Sequence, residues 1–470
     1  MYRSKLIRFL SNLPTSELKK VSKSVRKKHV DDSLAGKLWS HLIKHHPFPD
    51  KDHKIEKSYV LKKILRIEYD SSAKKRLGNL SSTLYDDILK HYFRERYEQD
   101  EVYRNELELS VLRRFKLDEL YYQKSNAVRN KLLKNPDSAR KYQQLTNLES
   151  NLYYYSAMEK MIDRVPGLHA YNANLENYYR IAKLRFQCEI ENRNNIIQSN
   201  TTGNDENNDP AGTSSAGHLL EEMYLGVLEL NRSYDSEQYD ALKERFLQEW
   251  KVFSEDDSLI FLSYLINFST KRFKKGSNED LREAFELYKF GVESALLIES
   301  NIITPDNFRN AVFSACGVKE FDWAEGFTTN YGRFLPASIQ EGIINLAKAR
   351  IAFGRKDFMS ATELTVQDAQ VGFTNKLLAK FILTKAYYEL GTTKIAQLHS
   401  HVKSFESFLN RDGLHHENTK VACKNFLRIV KLLIREKNKP TKEQIDSKLA
   451  AYSLIVGKEW LKEKIAALPE

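Results

Sequence analysis

The sequence predicts an all-α protein: a helical-repeat α-α superhelix preceded by an N-terminal bundle of short helices. Three observations carry this. Apolar residues recur at i, i+3, i+4 and i+7 along almost the whole chain, with no convincing strand alternation. Glycine (18) and proline (10) are scarce, together about 6% of the chain where average usage gives about 12%. Sandwiches, barrels and propellers need more turns than that, and a doubly wound sheet needs glycine-rich phosphate turns. Finally, the second half repeats itself: Phe321, Phe358 and Ile395 stand 37 residues apart, as do Ala324, Ala361 and Leu398, and Val312, Ala349 and Ala386.

Residues 1–100 read as a basic N-terminal helical bundle. A first helix holds Leu6, Phe9 and Leu10 and stops at Pro14. Thr15 or Ser16 is the expected cap of a second, with Leu18, Val21 and Val25 on one face and Lys19, Lys23, Arg26 and Lys27 off it. Asp31, Asp32 and Ser33 offer caps for a third, carrying Leu34, Leu38, Trp39, Leu42 and Ile43. Pro47-Phe48-Pro49 ends it, because proline disfavours helix in the residue before it. A helix near Tyr59–Ile67 follows. Asp70 or Ser71 then caps a long helix with Leu77, Leu80, Leu84, Ile88 and Tyr92 inward.

Residues 101–197 continue as Tyr-rich helix pairs. Leu107, Val111 and Leu112 mark one helix, and Leu117, Leu120, Tyr121, Val128 and Leu132 the next. Asn135-Pro136-Asp137 and Pro166-Gly167 are the breaks, and Leu175–Ile197 forms the last helix. Tyrosines such as Tyr153, Tyr154, Tyr155, Tyr178 and Tyr179 suit interhelical packing with the hydroxyl at the rim. Residues 198–217 lack any aliphatic or aromatic side chain larger than alanine. Such a run buries too little to offset its ordering entropy, and it reads as a disordered loop.

Residues 218–438 form the repeat array. In each unit a large apolar residue precedes a second apolar one, small except at Leu398, by one helical turn, and Ala349 and Ala386 allow close approach of a neighbouring helix. Leu281 with Ala284 fits the same pair one unit earlier. Gly354 and Gly391 fall between helices, where glycine suits a left-handed C-cap. The pattern resembles the tetratricopeptide repeat, a helix–turn–helix unit of slightly shorter period. It departs from that family in lacking a regular large residue at the start of the unit and a closing proline. Residues 439–470 read as a C-terminal capping helix. Thr441 and Gln444 match a capping box, and Ile445, Leu449, Tyr452, Val456, Trp460 and Ile465 make its apolar stripe.

The stretches LIRFLSNLPTSELKK (6–20), HLIKHHPF (41–48), SYVLKKIL (58–65) and YDSSAKKRLGNLSSTLYDDILKHYF (69–93) resemble a group of uncharacterised all-helical proteins common in the Bacteroidota. The resemblance covers about the first 130 residues. HVDDS stands where those relatives carry a Ser-Pro-aromatic-x-Asn turn. It implies a fold and a host, and no catalytic residue.

Net charge is +11, with 23 Lys/Arg against 13 Asp/Glu in residues 1–100. Three basic groups concentrate it: Lys19, Lys20, Lys23, Arg26, Lys27 and Lys28; Lys62, Lys63 and Arg66; and Lys74, Lys75 and Arg76. They are either solvated helix faces or a phosphate-binding surface, which salt would weaken. His41 and His45 stand at a metal-compatible i, i+4 spacing, but no Cys or carboxylate motif completes a site. No P-loop, Gly-rich dinucleotide turn, zinc-protease motif or nucleophile elbow occurs, so neither catalytic, cofactor nor metal residues are expected. Cys188, Cys316 and Cys423 lie more than a hundred residues apart, as expected of core residues in a reducing compartment. No apolar run suits a membrane span or a signal peptide, which points to the cytoplasm. The expected function is a non-enzymatic scaffold or adaptor holding a protein or peptide partner in the groove of the helical-repeat stack. The alternative is a nucleic-acid-associated regulator acting through the basic bundle.

Overall fold

The computed structural model describes residues 1–48, 52–155, 165–197, 219–273, 278–299, 302–366, 372–411, 417–435 and 440–468. Among these it holds 22 α-helices and one antiparallel strand pair, β1 (Ile298–Glu299) with β2 (Ile302–Ile303). The chain is therefore all-α, with sequential helices packed in pairs. Close packing divides it into two units, Met1–Asn307 and Phe308–Glu470.

The first unit opens with α1 (Lys5–Asn12), α2 (Thr15–Lys28) and α3 (Leu34–Lys44), all packed against the long α5 (Ser71–Gln99). Between them α4 (Lys57–Tyr59) runs into a π-helical turn, Val60–Leu65. Leu10, Val21, Leu38, Trp39, Leu84 and Ile88 form the heart of the shared core. Two expected caps are in place. Ser33 accepts from the Gly36 N–H (2.9 Å), and Asp70 accepts from the Ala73 N–H (2.6 Å). The second helix starts differently, with Pro14 at its N-cap and no side-chain cap. Thr15 is already helical there, and the proline ring presets the entry angle.

The unit continues with α6 (Glu101–Arg114), α7 (Asp118–Lys134), α8 (Ala139–Tyr155) and α9 (Val165–Ile197). It ends with α10 (Leu219–Ser233), α11 (Ser236–Glu249), α12 (Glu255–Phe273) and α13 (Asn278–Glu293). The low-complexity run 198–217 lies outside the described residues. Pro166, read as a break, sits in the first turn of α9, where its missing N–H leaves no helical bond unmade. Leu107, Val111, Leu117 and Leu120, which mark two of these helices in the sequence, are 39–51% exposed. Their helices pack through other faces, as set out below. Charged pairs tie the packed helices together: Arg129 to Glu149, Arg180 to Glu221, and Arg272 to Asp280 at 2.8 Å.

In the second unit the repeat register is visible in three dimensions. The helices are α14 (Pro305–Gly317), α15 (Phe321–Tyr331), α16 (Ala337–Gly354), α17 (Phe358–Val366), α18 (Phe373–Glu389) and α19 (Ile395–Arg411). Phe321, Phe358 and Ile395 each begin the second helix of a pair. Ala324, Ala361 and Leu398, one turn on, are fully buried, as are Val312, Ala349 and Ala386 on the first helices. Gly391 takes the expected left-handed conformation (φ 62°), but Gly354 does not. Lys356 makes that turn instead (φ 66°), as Lys319 does one period earlier (φ 67°). Gly354 serves packing: a Cβ there would stand 2.3 Å from Cε1 of Phe321.

The stack closes with α20 (Glu417–Leu433), α21 (Lys442–Ala450) and α22 (Lys458–Ala466). The Thr441–Gln444 capping box is formed in both directions. The single closing helix expected from the stripe is a pair of short ones. Left-handed Gly457 (φ 68°) opens the second, and Ile445, Leu449, Leu461 and Ile465 still share one core. No described helix is long and apolar enough to cross a membrane.

Candidate partner-binding groove

A concavity of the first unit lies between α6, α7 and α8. Residue Lys116 turns the chain between α6 and α7 with a left-handed φ of 55°. One wall comes from α6, through Val102, Asn105 and Leu109. These residues fall about one turn apart, on one face. The floor is Tyr121, Val128 and Leu132 of α7, and the other wall is Gln144, Asn147, Leu148 and Asn151 of α8. The space they enclose is about 390 Å³. It runs into a second hollow of about 510 Å³ that shares Val102, Asn105, Val128, Leu132 and Gln144 and ends against Phe253, Ser254 and Glu255. Together they form one groove, apolar at the floor, with amides on the wall of the first hollow and paired charges around the second.

Polar bridges hold the walls at a fixed separation. At one end Asp100 caps α6, accepting from the Tyr103 N–H (3.1 Å), and pairs with Arg96 and Arg140 (both 3.0 Å). Burial pushes the Asp100 carboxyl up, but the Tyr103 N–H and the two guanidiniums outweigh it and hold it below the usual range. Lys131 of α7 pairs with Glu101 of α6 at the same end. At the other end Arg113 Nη1 donates to Asn151 Oδ1 (3.0 Å). Beneath, Arg129 grips Glu149 with two bonds, Nε to Oε1 at 2.6 Å and Nη2 to Oε2 at 2.7 Å.

Asn105 is the unusual member. It is 9% exposed, and its side-chain amide makes no hydrogen bond to a described residue. A primary amide has two donors and an acceptor with two lone pairs. On the opposite wall Gln144, Asn147 and Asn151 add further amides at i, i+3 and i+7. The arrangement suits a ligand that brings both N–H and C=O groups and apolar side chains.

The residues singled out from the sequence lie elsewhere. All twelve basic candidates are exposed. Lys20 pairs with Glu17 (2.7 Å), Lys28 with Asp87, and Lys74 sits 4.5 Å above the Tyr69 ring. Lys19, Lys23, Arg26, Lys27, Lys62, Lys63, Arg66, Lys75 and Arg76 make no ion pair with a described residue. The Lys28–Asp87 bond docks the end of α2 eleven residues along α5 from Arg76, about 16 Å by helix rise. The fold therefore does not gather those two groups into one cluster. The His41 and His45 rings lie 4.6 Å apart between centroids, tilted by 51°, and His41 Nε2 bonds the Lys54 carbonyl oxygen at 2.9 Å. Burial, then the neighbouring His41, lowers the His45 pKa. No described group of three or more His, Cys, Asp or Glu residues is placed to hold a metal ion. All three cysteines are buried and free. Comparison of the chain with family models, curated proteins and solved structures finds no match.

Proposed function

We propose that this chain is a non-enzymatic scaffold or adaptor that holds a peptide segment of a protein partner in the groove between α6, α7 and α8. The observation that carries the reading is Asn105, a largely buried residue whose amide faces the groove and makes no hydrogen bond to a described residue, opposite a row of amides. A peptide backbone supplies the missing donor and acceptor at each residue. Its side chains fill the space over Tyr121, Val128 and Leu132. Small-ligand pockets share the apolar floor, but this groove runs through two connected hollows, and Asp100, Glu101, Lys131 and Arg140 of its lining are paired with one another rather than converging on its centre. Three free, buried thiols support work in a reducing, cytoplasmic setting. The separation of the basic end of α2 from Lys74, Lys75 and Arg76 favours the groove over the basic bundle as the binding surface.

The test is a selection of displayed random peptides on the full chain, followed by affinity measurement with Asn105→Leu. Leucine keeps the volume and removes the amide. Enriched peptides are expected to lose affinity by roughly tenfold or more, the value of one buried hydrogen-bonded group. Equal affinity for the wild type and Asn105→Leu would overturn the reading.

A further inference from the structure

Helix α9 is apolar on two opposite faces. Ile181, Leu184 and Cys188 are buried against the rest of the unit. The reverse face carries Leu168, Leu175, Tyr179, Phe186 and Ile190, exposed by 41, 39, 59, 68 and 58%. Successive spacings of 7, 4, 7 and 4 residues keep these five on one line for about 33 Å of helix. That is the spacing of a coiled-coil seam, with Leu175 and Ala182 at d positions and Tyr179 and Phe186 at a positions. Nothing in the described chain covers it.

We propose that this seam is a homodimer interface, in which α9 packs antiparallel against α9 of a second copy. The choice of occupant rests on how the seam complements itself. An antiparallel two-fold pairing sets a positions against d positions. Leu175 then meets Phe186 of the second copy, and Tyr179 meets the small Ala182 of the second copy, each contact occurring twice. Large rings lie over small or aliphatic residues, with no ring stacked on its own copy. The flanks agree: Glu176 falls opposite Lys183 of the second copy, again twice. Within the described chain neither has an ion pair. Glu176 accepts only from Asn172 Nδ2 (2.9 Å), and Lys183 Nζ lies 5.7 Å from the Tyr179 ring centroid. A parallel pairing would put Tyr179 on Tyr179 and Asn172 on Asn172, and would leave both charges unanswered. The interface is isologous and closes on itself, so it makes a dimer rather than a fibre. Two grooves per dimer would then bind a two-site partner with raised avidity, but the dimer does not depend on what the groove holds.

The experiment is sedimentation equilibrium on the full chain across a wide concentration range. Twice the chain mass is expected, with Phe186→Glu weakening self-association by about thirtyfold or more, as for a central aromatic anchor. Glu176→Lys alone and Lys183→Glu alone each weaken it by roughly tenfold, because like charges then face one another twice. Combining the two swaps restores it to within about threefold. All these side chains are at least partly exposed, and matching circular dichroism spectra check the fold. A monomer at every concentration would overturn the proposal, as would a dimer indifferent to Phe186→Glu. A dimer lost in both single swaps and not restored in the double swap would overturn the antiparallel pairing.

Discussion

Replacing Arg129 by methionine tests whether the groove is a built structure or a chance gap between helices. Glu149 is 5% exposed, and both its oxygens are bonded by the Arg129 guanidinium, at 2.6 and 2.7 Å. Methionine fills the same space without charge. It strands a carboxylate in the seam between α7 and α8, and removing one member of such a pair costs about 3–5 kcal/mol. The whole chain is too large for a two-state melt to read this cleanly. Hydrogen exchange followed by mass spectrometry reads it locally, in peptides covering 118–155. Amides there that exchange through local opening are expected to exchange between about a hundredfold and a few thousandfold faster in Arg129→Met. The double variant Arg129→Met/Glu149→Met removes both charges. It is expected to return to within about 1 kcal/mol of the parent, or to exceed it. Exchange in Arg129→Met within a few-fold of wild type would refute the argument, because the pair would then be an ornament on helices held by other contacts.

Two further outcomes follow from the second unit. Gly354→Ala forces a Cβ to within 2.3 Å of Cε1 of Phe321, and overpacking of this kind costs about 1–3 kcal/mol. Adding Phe321→Leu should recover part of that loss, measured by hydrogen exchange in peptides covering 337–366. His401 gives a pH signature. Burial, with a smaller push from Lys380, takes its imidazole down to about 4, although its Nε2–H donates to the Lys380 carbonyl at 3.0 Å. The unfolded chain takes up that proton near pH 6.5 and the folded chain only near 4, so stability is complete above about 6.5 and falls as the pH drops through that window. The loss is at most about 3 kcal/mol, and His401→Gln should flatten it when hydrogen exchange in peptides covering 373–411, corrected for the intrinsic pH dependence of exchange, is compared between those pH values.

The parts of the fold legible in the sequence were those that a local rule determines. Phe321, Phe358 and Ile395 mark helix starts because the same packing problem recurs in each unit. Asp70, Ser33 and the Thr441–Gln444 box mark ends because capping is a matter of three residues. The groove was not legible for a physical reason. Helix α6 carries two apolar stripes, one with Leu107 and Val111 and one with Val102 and Leu109. Periodicity reports both and cannot say which one a neighbour covers. Helix α9 poses the same ambiguity, with Ile181 and Leu184 on one side and Tyr179 and Phe186 on the other. Gly354 misled for a related reason. The turn needs one residue at positive φ, and Lys356 takes it, while the glycine answers to a ring that arrives from 33 residues earlier. The basic runs were plain in the sequence, but their distance from one another is set by where α2 meets α5.

The central claim is the location of partner binding, and cross-linking reads it directly. A peptide enriched on the full chain, carrying a photoreactive phenylalanine analogue, is irradiated in complex and the attachment points are mapped by mass spectrometry. The account expects attachment on α6 and α8, at residues lining the groove such as Val102, Leu109 and Asn147. Attachment concentrated on the repeat helices between Ala337 and Arg411, or on the basic face of α2, would contradict it.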